Sequence, residues 1–170
     1  MVEILRNEGV DYAVIGAFAL SIYGEVRAST DVDALLGTTP QRLKKLQPVF
    51  KGAGFAALLH LGDSSDPIPS MLVLTDSYSN QVDLLGDLRG MDPQFLARTV
   101  EIPFQGEMLR FVGREDFIAM KCFAGRPQDL LDARSAYQRA TSPVNTDLLR
   151  ALARRFGRDA ADNLERVLRS

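Results

Sequence analysis

Four apolar residues, Tyr12 to Ile15, run directly into Gly16, and helix formers follow: Ala17, Phe18, Ala19 and Leu20, then Ile22, Tyr23 and a closing Gly24. The first run has the length and character of a buried strand. A glycine at its end lets the backbone turn at once into a helix. The unit is therefore strand, tight turn, helix, and it calls for a fold that mixes sheet and helix.

The rest of the chain continues in that style. Thr30 to Leu36 reads as a second strand, with Gly37 stopping it. Thr38, Thr39 and Pro40 combine a hydroxyl cap with proline at the first helical position, and Leu43, Leu46, Val49 and Phe50 form the apolar stripe of the helix that follows. Phe55 to Leu59, Met71 to Leu74 and Gln81 to Leu85 read as strands, and Gly62 to Ser70 as a loop that is either a lid or a solvated connector. A short helix opens at Asp92 and Pro93, and two short strands, Val100 to Phe104 and Met108 to Val112, flank a glycine turn. Four helices then complete the chain, with Glu115 and Asp116 suiting the positive end of the first. The spacing predicts an α/β (α+β) fold. A small mixed sheet flanked by helices occupies residues 1–112, and a C-terminal helical bundle, residues 113–170, packs on it.

Composition narrows the function classes. With 170 residues, 46% of them hydrophobic, the chain fits one soluble globular domain with a small helical appendage. The formal charge of −2 argues against a dedicated nucleic-acid coat or a membrane-surface protein. Residues 126–170 are nevertheless mildly basic, with nine arginines and no lysine. Such a tail beside an acidic body can hold a polyanion, or it can be two solvated helix faces. One cysteine, Cys122, and one histidine, His60, supply neither a disulfide nor a zinc cluster. No apolar run approaches the roughly 18 residues of a membrane span, so a cytoplasmic location without membrane association is expected.

Asp31 and Asp33 stand one residue apart within a predicted strand, so both carboxylates project from one face. That pattern suits Mg²⁺, which takes one or two carboxylates and fills its other positions with water and substrate phosphates. An isolated Asp-x-Asp also occurs at plain strand ends. Asp83 lies in another apolar strand, where an isolated charge is costly unless paired or coordinated. It serves as a third ligand or proton acceptor if its strand adjoins that of Asp31. Otherwise it pairs with Arg89 or caps a turn. Gly16 is either a turn glycine or the opening of an anion-binding helix start near Ala17. Arg27 contacts phosphate or orients Asp31.

Val14, Ile15, Gly16 and Ala17, the run on to Tyr23, Gly24, Arg27, Thr30, Asp31, Val32 and Asp33, and then Val82, Asp83 and Leu84 resemble the DNA polymerase beta-like nucleotidyltransferase superfamily. Within it the pattern is most similar to the minimal AbiEii-type toxin nucleotidyltransferases, over roughly residues 4–137. The resemblance implies transfer of a nucleoside monophosphate from NTP to a hydroxyl of an RNA, protein or small-molecule acceptor, with release of pyrophosphate. It implies two Mg²⁺ ions, or Mn²⁺ in their place, on Asp31, Asp33 and Asp83. It also implies nucleotide contacts at Gly16, Ala17, Arg27, Thr30 and Lys121, and a role as the toxin of a toxin–antitoxin pair. Ala17 stands where the family has Gly or Ser, which removes a hydroxyl from the phosphate site. Lys121 either meets the triphosphate or pairs with Asp116 or Glu115, and Asp129 and Asp132 read as scaffold or as partners for Lys121 and Arg126. The rival reading is a catalytically inactive binding module or toxin–antitoxin partner. A small-molecule transferase of the antibiotic-modifying kind needs an acceptor pocket between sheet and helical tail.

Overall fold

The structure is a computed structural model, and it describes residues 1–26, 29, 31–63 and 65–169. The elements run α1 (Val2–Asn7), β1 (Tyr12–Ile15), α2 (Gly16–Ser21), β2 (Asp31–Leu36), α3 (Pro40–Gly52), β3 (Ala56–Leu61), β4 (Ser70–Thr75) and β5 (Gln81–Leu85). A 3-10 turn, Pro93–Arg98, leads to β6 (Val100–Phe104) and β7 (Glu107–Phe111). Helices α4 (Arg114–Ala124), α5 (Pro127–Gln138), α6 (Thr146–Arg155) and α7 (Arg158–Leu168) end the chain. Helix α1 has no counterpart in the sequence reading. Six residues are too few to be helical on propensity alone, and the burial of Leu5 holds the turn in place.

Seven strands form one mixed sheet in the order β3-β4-β5-β2-β1-β7-β6. β2 is parallel to β5 and β1 to β7, and the other neighbours are antiparallel. The fold is thus the expected α/β architecture, a mixed sheet flanked by helices. The Thr39 hydroxyl accepts the Arg42 backbone N–H at 3.3 Å, and Pro40 follows it. Helix α3 then lies against β3 and β4 and buries Leu43, Leu46 and Phe50 in one core with Leu72, Leu74 and Leu84. Each such side chain contributes about 1.5–3 kcal/mol through removal from water.

Helix α4 touches α5, α6 and α7 and buries Phe117, Ile118, Ala119 and Cys122. The apolar surroundings push the Cys122 thiol up to about 12, so it stays protonated as a small core residue. Tyr23 ties the helices to the sheet. Its ring packs on Phe117 at 5.6 Å, its hydroxyl donates to the Val112 carbonyl, and the Arg114 guanidinium lies 5.1 Å from its ring centre. Burial drives the Tyr23 hydroxyl far above its usual range, which keeps it a donor. Among the described residues no helix is long and apolar enough to cross a membrane.

Candidate active site

β2 and β5 lie side by side with Asp31 opposite Gln81 and Asp33 opposite Asp83. Strand alternation then places Asp31, Asp33, Gln81 and Asp83 on one face of the sheet. The first three residues of each strand are half-buried, whereas Ala34 to Leu36 and Leu84 to Leu85 are buried. The apolar inner halves thus anchor a set of carboxylates at the rim. On the far side of β2, β1 runs antiparallel and ends with Ile15 opposite Asp33, so the chain enters Gly16 at the same corner.

Gly16 has φ +68°, and a Cβ placed on it would overlap the Oδ2 of Asp33. Two requirements therefore coincide at one position: a left-handed backbone and open space for a carboxylate. The turn glycine is also the residue that lets Asp33 lie against the start of α2, a helix of six residues. Ala17, next in the chain, is buried and lines the cavity described below. Two neutral side chains brace the acids. Gln81 Nε2 donates to Asp83 Oδ1 at 2.9 Å, and the Ser29 hydroxyl donates to the Asp31 carbonyl at 2.9 Å. Arg27 and Thr30 lie outside the described residues.

A cavity of about 340 Å³ opens between this corner and the helices, with Gly16, Ala17 and Asp33 on one wall and Phe117, Lys121 and Asp129 on the other. Lys121 is held from α5: its Nζ donates to Asp129 Oδ1 at 2.8 Å and to Asp132 Oδ2 at 2.7 Å. Arg126 Nε donates to Asp129 Oδ2 at 2.7 Å, and Gln128 Nε2 to Asp132 Oδ1 at 2.9 Å. Both carboxylates are buried, 2% and 1% exposed, where an unpaired charge would be very costly. Burial alone would raise the Asp129 carboxyl, but the bonds and charges of Arg126 and Lys121 outweigh it and hold its pKa below the ordinary value. Asp129 and Asp132 are thus the partners of Lys121. Of the alternatives, Asp116 is taken by Arg98 through two 2.7 Å bonds, and Glu115 accepts the Asn145 backbone N–H at 2.9 Å.

Hard oxygen donors on one face fit a divalent cation of the Mg²⁺ class. Among the described residues no group of three His, Cys, Asp or Glu side chains is gathered to hold a metal ion on its own. Mg²⁺ asks for less than that, because one or two carboxylates suffice when substrate phosphates supply other ligands.

Residues 2–166 match the model of a family described as nucleotidyltransferase of unknown function, DUF6036. The chain belongs to this nucleotidyltransferase family. No curated protein matches it. Among solved structures, the family fold is similar to the antibiotic-resistance factor ANT(2'')-Ia. That match has a TM-score of 0.62 and 13% identity, and it covers 99% of this chain and 92% of the other. An antigenic nucleotidyltransferase-like protein from Paracoccidioides brasiliensis matches with TM-score 0.61 and 14% identity, covering 98% and 83% of the two chains. The lincosamide antibiotic adenylyltransferase LnuA, solved with lincomycin bound, matches with TM-score 0.51 and 11% identity, covering 82% and 93%. At such identities the likeness concerns the fold.

Two contributors escaped the sequence reading. Gln81 holds Asp83, and its position two residues earlier on the same strand was a usable signal. Ser29 lines the cavity and braces Asp31, but nothing in its surroundings distinguishes it from any serine in a polar stretch.

Proposed function

We propose that this family member transfers a nucleoside monophosphate from NTP to the hydroxyl of an acceptor and releases pyrophosphate. The observation that carries the reading is the placement of Asp31, Asp33 and Asp83 on one sheet face at the rim of paired parallel strands, with Gly16 making room for Asp33. Adjacent carboxylates repel each other, so their gathering on one face favours a cationic ligand. Asp31, Asp33 and Asp83 would hold Mg²⁺ or Mn²⁺, which when bound would neutralise charge on the phosphates. Gly16, Ala17, Arg27, Thr30 and Lys121 are proposed to hold the nucleotide, with backbone amides serving where Ala17 lacks a hydroxyl.

In the transfer, the acceptor oxygen bonds to the α-phosphorus and the bond from that phosphorus to the bridging oxygen breaks. Pyrophosphate leaves with the electron pair, and Asp83 accepts the hydroxyl proton. Lys121, braced by Asp129 and Asp132, presents its charge to the cavity. The 340 Å³ cavity between sheet and helices supports a small-molecule acceptor, the class named for LnuA with its bound lincomycin. A toxin role of the AbiEii kind would instead place the hydroxyl on RNA or protein.

The test is incubation with each α-labelled NTP, Mg²⁺ and a mixture of small-molecule hydroxyl compounds, RNA and lysate protein. Transfer by the wild type and none by Asp33→Asn of unchanged circular dichroism supports the reading. Wild-type transfer by Asp33→Asn would refute the metal assignment. Ala17 favours one other reading, an inactive binding module. Absence of Mg²⁺-dependent NTP binding in calorimetry would select it.

A further inference from the structure

We infer that the free edge of β3 takes up an extended peptide as an added strand, and that this peptide alternates acidic with apolar side chains. β3 and β6 are the two outer strands of the sheet. The inference does not depend on the transferase reading.

The two edges present different backbones. An outer antiparallel strand turns the N–H and C=O of every second residue away from its partner. On β6, the tight turn at Gln105 and Gly106, both at positive φ, makes Phe104 and Glu107 a bonded pair, so Glu101 and Pro103 face outward. Proline has no N–H to donate and glutamate brings a charge, and both blunt an edge. On β3, the Gly62 N–H donates to the Pro69 carbonyl at 3.0 Å, and alternation from that pair makes Ala56, Leu58 and His60 bond to β4. Ala57, Leu59 and Leu61 then face outward. The side chain of Gln47 agrees, because its Nε2 reaches from α3 to donate to the Ala57 carbonyl at 3.0 Å. Gln47 covers the edge at Ala57, and Leu59 and Leu61 are left with backbone groups that another strand can pair. The strand carries no proline, carboxylate, lysine or arginine, and Leu58 and Leu61 are 58% and 62% exposed. Such an edge is a template for strand addition.

The charge beside the edge selects the occupant. Residues three or four apart share a helix face, so Lys44 and Lys51 stand one turn to either side of Gln47, along the side of α3 that borders β3. Both are exposed, and among the described residues neither has an ion pair. The Phe55 N–H donates to the Phe50 carbonyl at 3.1 Å, which folds β3 back along α3, with Lys51 toward its start and Lys44 toward Leu59. Helix α3 has no carboxylate at all. A strand bonded to Leu59 and Leu61 would point alternate side chains toward these lysines and the others toward the face of exposed Leu58. Acidic residues suit the first set and apolar residues the second. A second copy of this chain suits the edge poorly, because pairing β3 with β3 would bring the lysines of two α3 helices together.

The experiment uses the full chain and two short acetylated, amidated peptides, one alternating valine with glutamate and the other valine with lysine. In calorimetry the glutamate peptide should bind about tenfold or more tightly than the lysine peptide, and Lys44→Glu combined with Lys51→Glu should reverse that order. Leu61→Pro removes an outward N–H and spares the ladder to β4, so it should weaken the glutamate peptide about tenfold. Amide hydrogen exchange read by NMR should slow at Leu59 and Leu61 when the peptide is added. Equal binding of the two peptides, no binding of either, or binding that leaves exchange at Leu59 and Leu61 unchanged overturns the inference. So does a dimer of the free chain in sedimentation that Leu61→Pro dissolves, since the edge would then belong to a second copy.

Discussion

At the scale of single residues, the site depends on side chains whose surroundings leave little freedom. Asp83→Asn keeps the shape and the Gln81 contact but cannot take a proton. We expect transfer to fall about 10²–10⁴-fold, with urea unfolding unchanged, as single-turnover assays would show. Gly16→Ala forces a Cβ into Asp33 at a backbone angle that costs a non-glycine residue about 1–2 kcal/mol. It should lower the denaturation midpoint and abolish transfer together, and a variant with normal stability and normal activity would disprove the packing argument. The Asp-x-Asp spacing was legible in the chain because strand alternation is local. The need for glycine opposite Asp33 was not, because it arises from contact between two strands.

Among the elements, the pairing of α4 with α5 is decided by three charges. Removing only the cation, as in Lys121→Met, leaves Asp129 and Asp132 buried with less compensation, and we expect a loss of about 3–5 kcal/mol in urea denaturation. The lowered Asp129 pKa fixes the sign of the pH effect. Its contribution is fully present above the unfolded carboxyl value near 3.9 and disappears as pH falls through the lower folded value. Stability measured from pH 6 down to pH 2 should therefore fall at the acid end, and the Asp129→Asn variant should show a shallower decline. Helix periodicity revealed α3 through its apolar stripe and its Thr39 cap, and α4 to α7 through patterning and breakers. The six-residue α1 offered no such stripe. It exists because Leu5 finds the core.

For the whole molecule, one core runs from α3 and the sheet through Tyr23 and Phe111 to Phe117, Leu149 and Leu164. Sheet and helices should then unfold together. Phe117→Ala, which opens a cavity where the two meet, should cost about 3–5 kcal/mol and lower a single thermal transition, and two separated calorimetric transitions would contradict the shared core. By itself the sequence determined the kinds of element, the turn at Gly16 and the acids that share a strand, because periodicity, capping and glycine conformations act over a few residues. Tertiary structure alone decided that β5 lies beside β2, that Asp129 and Asp132 capture Lys121, and that Arg155 bonds the Gly90 and Met91 carbonyls. These juxtapositions join residues far apart in the chain. Which of many compatible pairings wins depends on the burial of the whole core, and no local pattern carries that information.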